Sequence, residues 1–164
     1  MTPKPYPLIS KTAGSLKGSV AVAGDKSISH RALMLSSQMP GTTNIRGLLE
    51  GEDVLCTAKA LQQLGVSITR NNAGHWLVKG VGIGGLTESK DVLDMGNSGT
   101  SARLLMGLVT PYSFTTFFTG DDSLRARPMG RVITPLLEMG AAFAARDGNL
   151  LPLALKGSAH THAI

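Results

Sequence analysis

GDKSISHRALM, residues 24–34, has a counterpart 72 residues later in GNSGTSARLLM, residues 96–106. The two stretches agree at five aligned positions, Gly24/Gly96, Ser29/Ser101, Arg31/Arg103, Leu33/Leu105 and Met34/Met106. Further matches follow in the same order, with LQQLG (61–65) over LLEMG (136–140) and Lys79-Gly80 over Lys156-Gly157. Because several matches recur in order at a nearly constant offset, the sequence predicts an internal duplication.

Each copy is predicted to fold as a βαβαββ unit, since the hydrophobic period changes between strand-like and helix-like along it. SVAVA (19–23) alternates like a strand, and EDVLCTAKALQQLG has the early acidic residues and the terminal Gly65 of a helix. Further strands are predicted in TTNIRGL, VSITR and HWLVK, and helices near 27–38, 53–64, 99–110 and 128–139. The predicted divisions are an N-terminal segment 1–17, a first unit 18–88, and a second unit with a short polar tail 89–164.

Charge and composition narrow the class of partner. The chain has 164 residues, a formal net charge of +5 and 42% hydrophobic residues, which suits one globular domain that binds anions. Nucleic acid is disfavoured, because lysine and arginine form no long run and aromatic residues make up only 4%. No apolar run reaches about 18 residues, so no membrane partner is expected. A single cysteine, Cys56, and an N-terminus without a signal-peptide pattern predict a reducing, cytoplasmic compartment.

The first of three loops that concentrate anion-binding groups contains Lys26, Ser27 and Arg31. It opens a predicted helix, where free N–H groups and the helix dipole attract negative charge. Arg31 lies four residues after Ser27 and therefore on the same helix face. Ammonium, hydroxyl, guanidinium and helix terminus would converge on one anion. The alternative is an ordinary capped helix with a solvated face.

The second and third loops carry similar chemistry. GNSGTSAR (96–103) is the repeat counterpart of the first loop, and Gly96 and Gly99 would let the backbone approach a ligand closely. LRARPMGR (124–131) places three arginines, at 125, 127 and 131, at a predicted helix start. Cations there oppose the helix dipole by about 0.3–1 kcal/mol each. Their clustering predicts an anion site, with a solvated basic turn as the alternative.

Other motifs point to no separate chemistry. GVGIGG (80–85) matches a dinucleotide-binding pattern, but no crossover helix follows it, so it is interpreted as a linker between the copies. Cys56 is predicted on a buried helix face rather than as a nucleophile. His160 and His162 lack a third ligand for a metal, and no metal site is predicted. His30 and His75 are predicted at polar surface positions.

Taken together, GDKSISHRALML, LLEGEDV, GNSGTSARLLMGL and RPMGRVITPL resemble the N-terminal part of the EPSP synthases, the 3-phosphoshikimate 1-carboxyvinyltransferases. The resemblance covers residues 8–157, and Asp25 with the strings LLEGEDV and RLLMGL is similar to the class II branch. The related UDP-N-acetylglucosamine enolpyruvyl transferases have Lys-Asn where this chain has Lys26-Ser27. A relative of those enzymes, or an anion-binding module without catalysis, is the alternative.

The resemblance implies an α/β fold, an inside-out α/β barrel in which each of two globes has three βαβαββ units. The two copies would be two of the three units of one globe, and residues 1–17 would belong to the other. It implies transfer of the enolpyruvyl group of phosphoenolpyruvate to the 5-hydroxyl of shikimate 3-phosphate, a step of aromatic amino acid biosynthesis, with no cofactor. The chain is expected to be a truncated N-terminal portion that is inactive alone, and the full-length enzyme is expected to be a monomer.

Site residues also follow from the resemblance, position by position. Lys26 would contact both substrates, and Ser27 and Arg31 would bind shikimate 3-phosphate. Asn97 would lie near the bound phosphoenolpyruvate. The acid–base residues would come from the C-terminal part of the same enzyme, which would be this chain's partner.

The phosphoenolpyruvate subsite would be lined by Gly99 and Arg127, with Asp53 nearby. Catalytic roles are expected for Lys26, Asp53 and Arg127. Gly99 implies sensitivity to glyphosate, which competes with phosphoenolpyruvate in this family, and no metal is expected in the site.

Overall fold

Helices and strands follow one another in the predicted order, except that the first copy lacks its first strand and the second copy has a short extra helix. The computed structural model describes residues 7–164. The helices are α1 (Lys26–Ser37), α2 (Glu52–Gln63), α3 (Gly99–Val109), α4 (Asp122–Arg125) and α5 (Gly130–Glu138). The strands are β1 (Pro40–Ile45), β2 (Ser67–Arg70), β3 (Trp76–Val81), β4 (Leu93–Asp94), β5 (Thr115–Thr119), β6 (Ala142–Arg146) and β7 (Leu150–Lys156).

The strands form two sheets whose strand orders match. The first sheet, β1-β3-β2, is antiparallel throughout, and Thr43 lies opposite Val78. In the second, β4-β5-β7-β6, the last three strands pair antiparallel, with Phe118 opposite Leu153, while β4 joins β5 in parallel. The order β5-β7-β6 therefore repeats β1-β3-β2, and β4 is an additional strand of the second sheet.

Capping side chains explain where the first helix of each copy begins. Asp25 accepts a hydrogen bond from the Ile28 backbone N–H at 2.8 Å, and Ser98 accepts one from the Ser101 N–H at 3.2 Å. Such caps satisfy backbone donors that have no partner inside the helix, and each contributes about 1 kcal/mol. The N-termini of α1 and α3, at which two of the three predicted anion-binding loops lie, are therefore set by local sequence.

The core lies where the inner faces of the sheets meet the helices. Buried and more exposed side chains alternate along β5 and β7, so the second sheet turns one face inward. In the first sheet the buried strand residues are Ile68 and Val78, which lie opposite each other. Helix–helix contacts run from α1 to α2, from α2 to α3 and from α3 to α5. The largest fully buried side chains are Phe118, Leu33, Leu61, Leu64, Leu93, Met95, Leu105, Met106, Leu124, Met129, Leu151 and Leu155. Both copies contribute to this single core, which joins the helices that carry the predicted site.

Gly80 and Gly157, the glycines of the repeated Lys-Gly pair, stand where no side chain fits. A Cβ on Gly80 would overlap the carbonyl oxygen of Met39, just beyond α1. A Cβ on Gly157 would overlap the carbonyl oxygen of Tyr112, just beyond α3. In each copy the last strand thus runs against the chain that leaves the first helix, which explains why glycine occupies both positions.

The prediction of a strand at 19–23 is wrong. Residues 7–25 form no helix or strand, and Val20 and Val22 are more than four-fifths exposed. In the second sheet the corresponding place, beside β5, is taken by β4, whose Leu93 is fully buried. Alternation alone does not make a strand, because its backbone needs a paired edge and its apolar face needs a surface to cover.

The four predicted helices are confirmed within one or two residues, with a short extra helix, α4, ahead of α5. The mixed α/β class is confirmed as well. The division into units at 17, 88 and 164 stays a prediction, and residues 1–6 of its first segment lie outside the described residues. No helix in the described part of the chain is long and apolar enough to cross a membrane.

Candidate functional site

The start of α1 holds its lysine against a carboxylate of α2. Lys26 Nζ donates to Asp53 Oδ2 at 2.8 Å, and the two side chains are 51% and 28% exposed. Asp53 lies in the first turn of α2, where the helix dipole favours a negative charge. The ion pair joins the N-termini of two helices and leaves part of the ammonium open to an incoming anion.

Arg31 turns back toward the start of its own helix. Its Nη1 donates to the Ser27 carbonyl oxygen at 3.1 Å, so the prediction that Ser27 and Arg31 share a face is confirmed. The second copy repeats the contact, since Arg103 Nη1 donates to the Gly99 carbonyl oxygen at 3.2 Å. Both helices therefore present a guanidinium beside their first turn.

Arg127 belongs to the third loop but contacts the second. Its Nη2 donates to Asn97 Oδ1 at 2.8 Å and to Ser123 Oγ at 3.0 Å. Asn97 in turn donates through Nδ2 to Asp121 Oδ2 at 2.7 Å. Hydrogen bonds from Asn97 and from the Leu124 N–H lower the pKa of Asp121, so its carboxylate stays ionised. This chain of contacts fixes the guanidinium next to the N-terminus of α3.

Gly99, the first residue of α3, brings bare backbone toward two guanidiniums. A Cβ at this position would lie 2.7 Å from Arg103 Nη1 and 3.6 Å from Arg127 Nη1. It would also meet Leu124 Cδ1 at 3.5 Å. The absence of a side chain on this buried residue therefore lets the Arg103 guanidinium lie directly against the backbone of α3.

A buried set of hydroxyl groups ties the three helices together beneath these loops. Thr57 Oγ1 of α2 lies 2.7 Å from Ser101 Oγ of α3 and 2.8 Å from His30 Nδ1 of α1. Ser101 Oγ also lies 2.6 Å from Ser98 Oγ and donates to the Asp53 carbonyl oxygen at 3.1 Å. Polar contacts thus link the α1 and α2 ends to the α3 end, so the predicted site residues belong to one connected region.

The prediction of a surface position for His30 is wrong, because its side chain is fully buried. The sequence does hold a signal for burial. His30 precedes Leu33 by three residues and Met34 by four, which places it on the apolar face of α1. The sequence gives no comparable indication that Thr57 and Ser101 are buried, because a hydroxyl group on a helix can be hydrogen-bonded either to water or to a buried partner.

The three arginines of the third loop take different environments. Arg125 lies 3.8 Å from the Asp122 carboxylate, and Arg127 joins Asn97 as described. Arg131 lines a cavity of about 500 Å³ with Arg103 and Pro128. Of the three, Arg127 is the one whose contacts link it to the loop before α3.

Cys56 is half-buried on α2, and burial raises the pKa of its thiol, so the prediction that it is not an activated nucleophile agrees with its surroundings. Within residues 7–164, no three histidine, cysteine, aspartate or glutamate side chains form a group that could hold a metal ion.

The amino-acid sequence matches one protein family over nearly its whole length. A sequence model of the EPSP synthase family (3-phosphoshikimate 1-carboxyvinyltransferase) matches residues 10–163. The chain is similar to the 3-phosphoshikimate 1-carboxyvinyltransferases of Paramagnetospirillum magneticum, with 60% identity over 153 residues, and Rhodospirillum rubrum, with 55% over 159. These alignments cover 93% and 94% of this chain but 34% and 35% of the relatives.

The fold is also similar to that of a solved EPSP synthase. EPSP synthase from Acinetobacter baumannii aligns with a TM-score of 0.81 and 43% sequence identity, covering 85% of this chain and 32% of that structure. The chain therefore spans about a third of the length of the curated relatives and solved structures that it matches.

Proposed function

Since the chain belongs to the EPSP synthase family, we propose that it forms one wall of an enolpyruvyl transferase site in a protein of its relatives' length. One observation carries the proposal. The N-termini of α1 and α3 and the Arg127 guanidinium are connected by direct contacts through Asp53 and Asn97. Helix termini and fixed cations in one region suit two multiply charged anions.

The proposed substrates are shikimate 3-phosphate and phosphoenolpyruvate. Ser27 and Arg31, on the first turns of α1, would hold shikimate 3-phosphate, and Lys26 would reach both molecules. The Arg31 guanidinium lies 3.1 Å from the Ser27 carbonyl oxygen, so the positive charge and the first turn of α1 are adjacent. A planar guanidinium suits bidentate binding of phosphate.

Phosphoenolpyruvate would lie toward α3, between the Gly99 backbone and Arg127, with Asn97 beside it. Asn97 and Ser123 hold the Arg127 guanidinium from one side, which restricts its orientation toward a ligand. Asp53 would act through Lys26, because its carboxylate sets the position of the ammonium.

In the proposed reaction the 5-hydroxyl oxygen of shikimate 3-phosphate bonds to C2 of phosphoenolpyruvate. A base removes the hydroxyl proton, and an acid protonates C3. The C–O bond to phosphate then breaks, and C3 loses a proton to restore the double bond of the enolpyruvyl ether. Lys26 and Arg127 would stabilise charge on the phosphate and carboxylate oxygens, which is usually the largest catalytic effect. The acid and the base are assigned to the part of the enzyme beyond this chain.

The proposal extends to a monomeric cytoplasmic enzyme of the shikimate pathway that binds neither nucleic acid nor membrane. The few aromatic residues and the absence of a long basic run support the first exclusion. The lone, half-buried Cys56 suits a reducing compartment.

The test is phosphate release from phosphoenolpyruvate by the full-length enzyme, measured separately with shikimate 3-phosphate and with UDP-N-acetylglucosamine. We expect release with shikimate 3-phosphate alone. Release only with the nucleotide sugar would assign the chain to the related transferases. If the enzyme binds shikimate 3-phosphate but releases phosphate under neither condition, the protein would be an anion-binding module without catalysis.

Gly99→Ala is expected to weaken inhibition by glyphosate about 10- to 200-fold, the range that one methyl group produces in a tight pocket. The new methyl would stand 2.7 Å from Arg103 Nη1 and would narrow the space beside Arg127. The affinity for phosphoenolpyruvate should fall less, because the flexible Arg103 side chain can shift. The measurement is the glyphosate concentration for half-inhibition beside the KM for phosphoenolpyruvate.

Gly107→Ala is the matched control for this prediction. Gly107 lies on the same helix, and a Cβ there meets no atom within 4 Å. It should leave inhibition unchanged and stabilise α3 by about 0.5–1 kcal/mol. Equal inhibition of the Gly99→Ala and parent enzymes would place the inhibitor elsewhere.

A further inference from the structure

His30 is a polar group that the proposed mechanism does not use, although it belongs to the buried hydrogen-bond network beneath the proposed site. Its side chain is fully buried on α1. Nδ1 lies 2.8 Å from Thr57 Oγ1, but Nε2 is buried with no hydrogen-bond partner in the described residues. A buried nitrogen without a partner is unfavourable, so an apolar side chain would stabilise the fold more simply. The ring is therefore oriented through Nδ1 alone.

The Nδ1 contact links α1, α2 and α3, which carry the proposed site residues Lys26, Asp53 and Gly99. Thr57 Oγ1 stands between His30 and Ser101, and both hydroxyl groups also lie within 3.3 Å of the Asp53 carbonyl oxygen. That carbonyl belongs to the first turn of α2. Ser101 Oγ continues to Ser98, the N-cap of α3. The network thus joins the first turns of α2 and α3 to α1.

We propose that His30 is a positioning residue for the transfer reaction, holding the N-termini of α1, α2 and α3 in one arrangement through Thr57 and Ser101. The inference rests on the proposed function, since the groups that it positions are Lys26 and Gly99 at two of these N-termini. Its role is indirect, because its ring is buried and its hydrogen-bond contacts go to Thr57 and Ser101 rather than to Lys26 or Gly99. A misplacement of about 1 Å at such groups can lower a rate by about 10²-fold.

The charge of His30 follows from its surroundings. Burial lowers its pKa from the ordinary 6.5. Asp53 of α2 opposes this effect, while Lys26 and Arg31 of α1 reinforce it. Ser101 is the α3 side chain in contact with the ring, and it does not titrate. The imidazole is neutral at pH 7, and either neutral tautomer can bond with the Thr57 hydroxyl.

The sign of the pH effect follows by linkage. The unfolded chain takes up the His30 proton near pH 6.5, and the folded chain does so only at lower pH. Folding therefore excludes that proton, and the network loses stability as the pH falls below about 6.5. Above that pH both states are neutral and the penalty vanishes.

His30→Leu and His30→Asn in the full-length enzyme separate positioning from mere packing. Leucine fills the space without a hydrogen bond, whereas the asparagine amide can place a polar atom near Nδ1 and does not titrate. We expect His30→Leu to lower kcat/KM for phosphoenolpyruvate about 10- to 100-fold. His30→Asn should retain most of the activity, and its activity relative to the parent should rise as the pH is lowered from 7.5 to 5.

Two further variants keep the result interpretable. Thr57→Val removes the hydroxyl with little change of shape, and its effect should not add to that of His30→Leu if both break one network. Leu153→Val, a buried change in the second sheet, should lower Tm while leaving kcat/KM unchanged. Melting curves and far-ultraviolet circular dichroism establish that each variant is folded.

The outcomes are distinct. A parent enzyme that fails to transfer the enolpyruvyl group to shikimate 3-phosphate contradicts the proposed function, whatever the variants do. An active parent with a folded His30→Leu variant of equal kcat/KM overturns the positioning role. So does an asparagine variant that loses activity as leucine does, or one whose pH dependence equals that of the parent.

Discussion

Replacement of Arg127 by glutamine is expected to lower kcat/KM for phosphoenolpyruvate about 10²- to 10³-fold, the usual loss when one fixed donor to transition-state charge is removed. The guanidinium is held by Asn97 Oδ1 at 2.8 Å and by Ser123 Oγ at 3.0 Å, so it is oriented before a ligand arrives. Glutamine can keep one of these bonds but has no charge to offer. Steady-state kinetics with phosphoenolpyruvate as the varied substrate measures the change.

Arg125→Gln is the control, because Arg125 lies two residues away and, among residues 7–164, comes within salt-bridge distance only of the exposed Asp122 carboxylate, at 3.8 Å. An exposed pair of this kind contributes about 0–1 kcal/mol, so its loss should alter neither Tm nor kcat/KM appreciably. Arg127→Lys should recover little, since lysine lacks the planar fork. Equal kinetics for the two glutamine variants would contradict the role assigned to Arg127.

The second large effect concerns the 164-residue chain by itself, which we expect to show no measurable enolpyruvyl transfer. Lys26 and Asp53 are 51% and 28% exposed, so the site is a surface rather than an enclosed cavity. Water would weaken each ion pair with a bound anion. The described residues also include no assigned acid or base, and that chemistry contributes typically about 10²–10⁴-fold.

Phosphate release is the measurement, made with the isolated chain and again after addition of a separately produced C-terminal part from a relative such as the Paramagnetospirillum magneticum enzyme. Turnover only in the mixture is the expected result. If the isolated chain were active and Arg127→Gln removed that activity, the chain would be sufficient for catalysis. That result would contradict the assignment of the acid–base groups to the rest of the enzyme.

Much of the fold was accessible from sequence because its signals are local. Apolar residues at helical spacing and the acidic first turn of α2 predict four helices, and the side chains that cap α1 and α3, Asp25 and Ser98, agree with the helix starts observed. The repeated motifs place two of the three predicted anion-binding loops at the equivalent starts of α1 and α3. Local signals failed for residues 19–23, whose alternation is strand-like but whose pairing depends on a neighbour that periodicity does not reveal.

The candidate site was predictable in its residue types but not in its connections. The spacing of Ser27 and Arg31 determines their shared face, as observed. The Lys26–Asp53 ion pair and the Arg127–Asn97 contact join residues 27 and 30 positions apart, and only the packing of the helices brings them together. The spacing of His30 from Leu33 and Met34 indicates its burial, but its hydroxyl partner Thr57 lies on another helix and could not be predicted from spacing.

The contacts that hold Lys26 and Arg127 also have a thermodynamic consequence for binding. Long cationic side chains normally lose about 0.5–1.5 kcal/mol of conformational entropy each when a ligand immobilises them. Here Asp53 restrains the one, and Asn97 with Ser123 restrains the other, before any ligand is present. Part of that ordering has therefore already occurred during folding, so binding of an anion by these two cations would cost less conformational entropy.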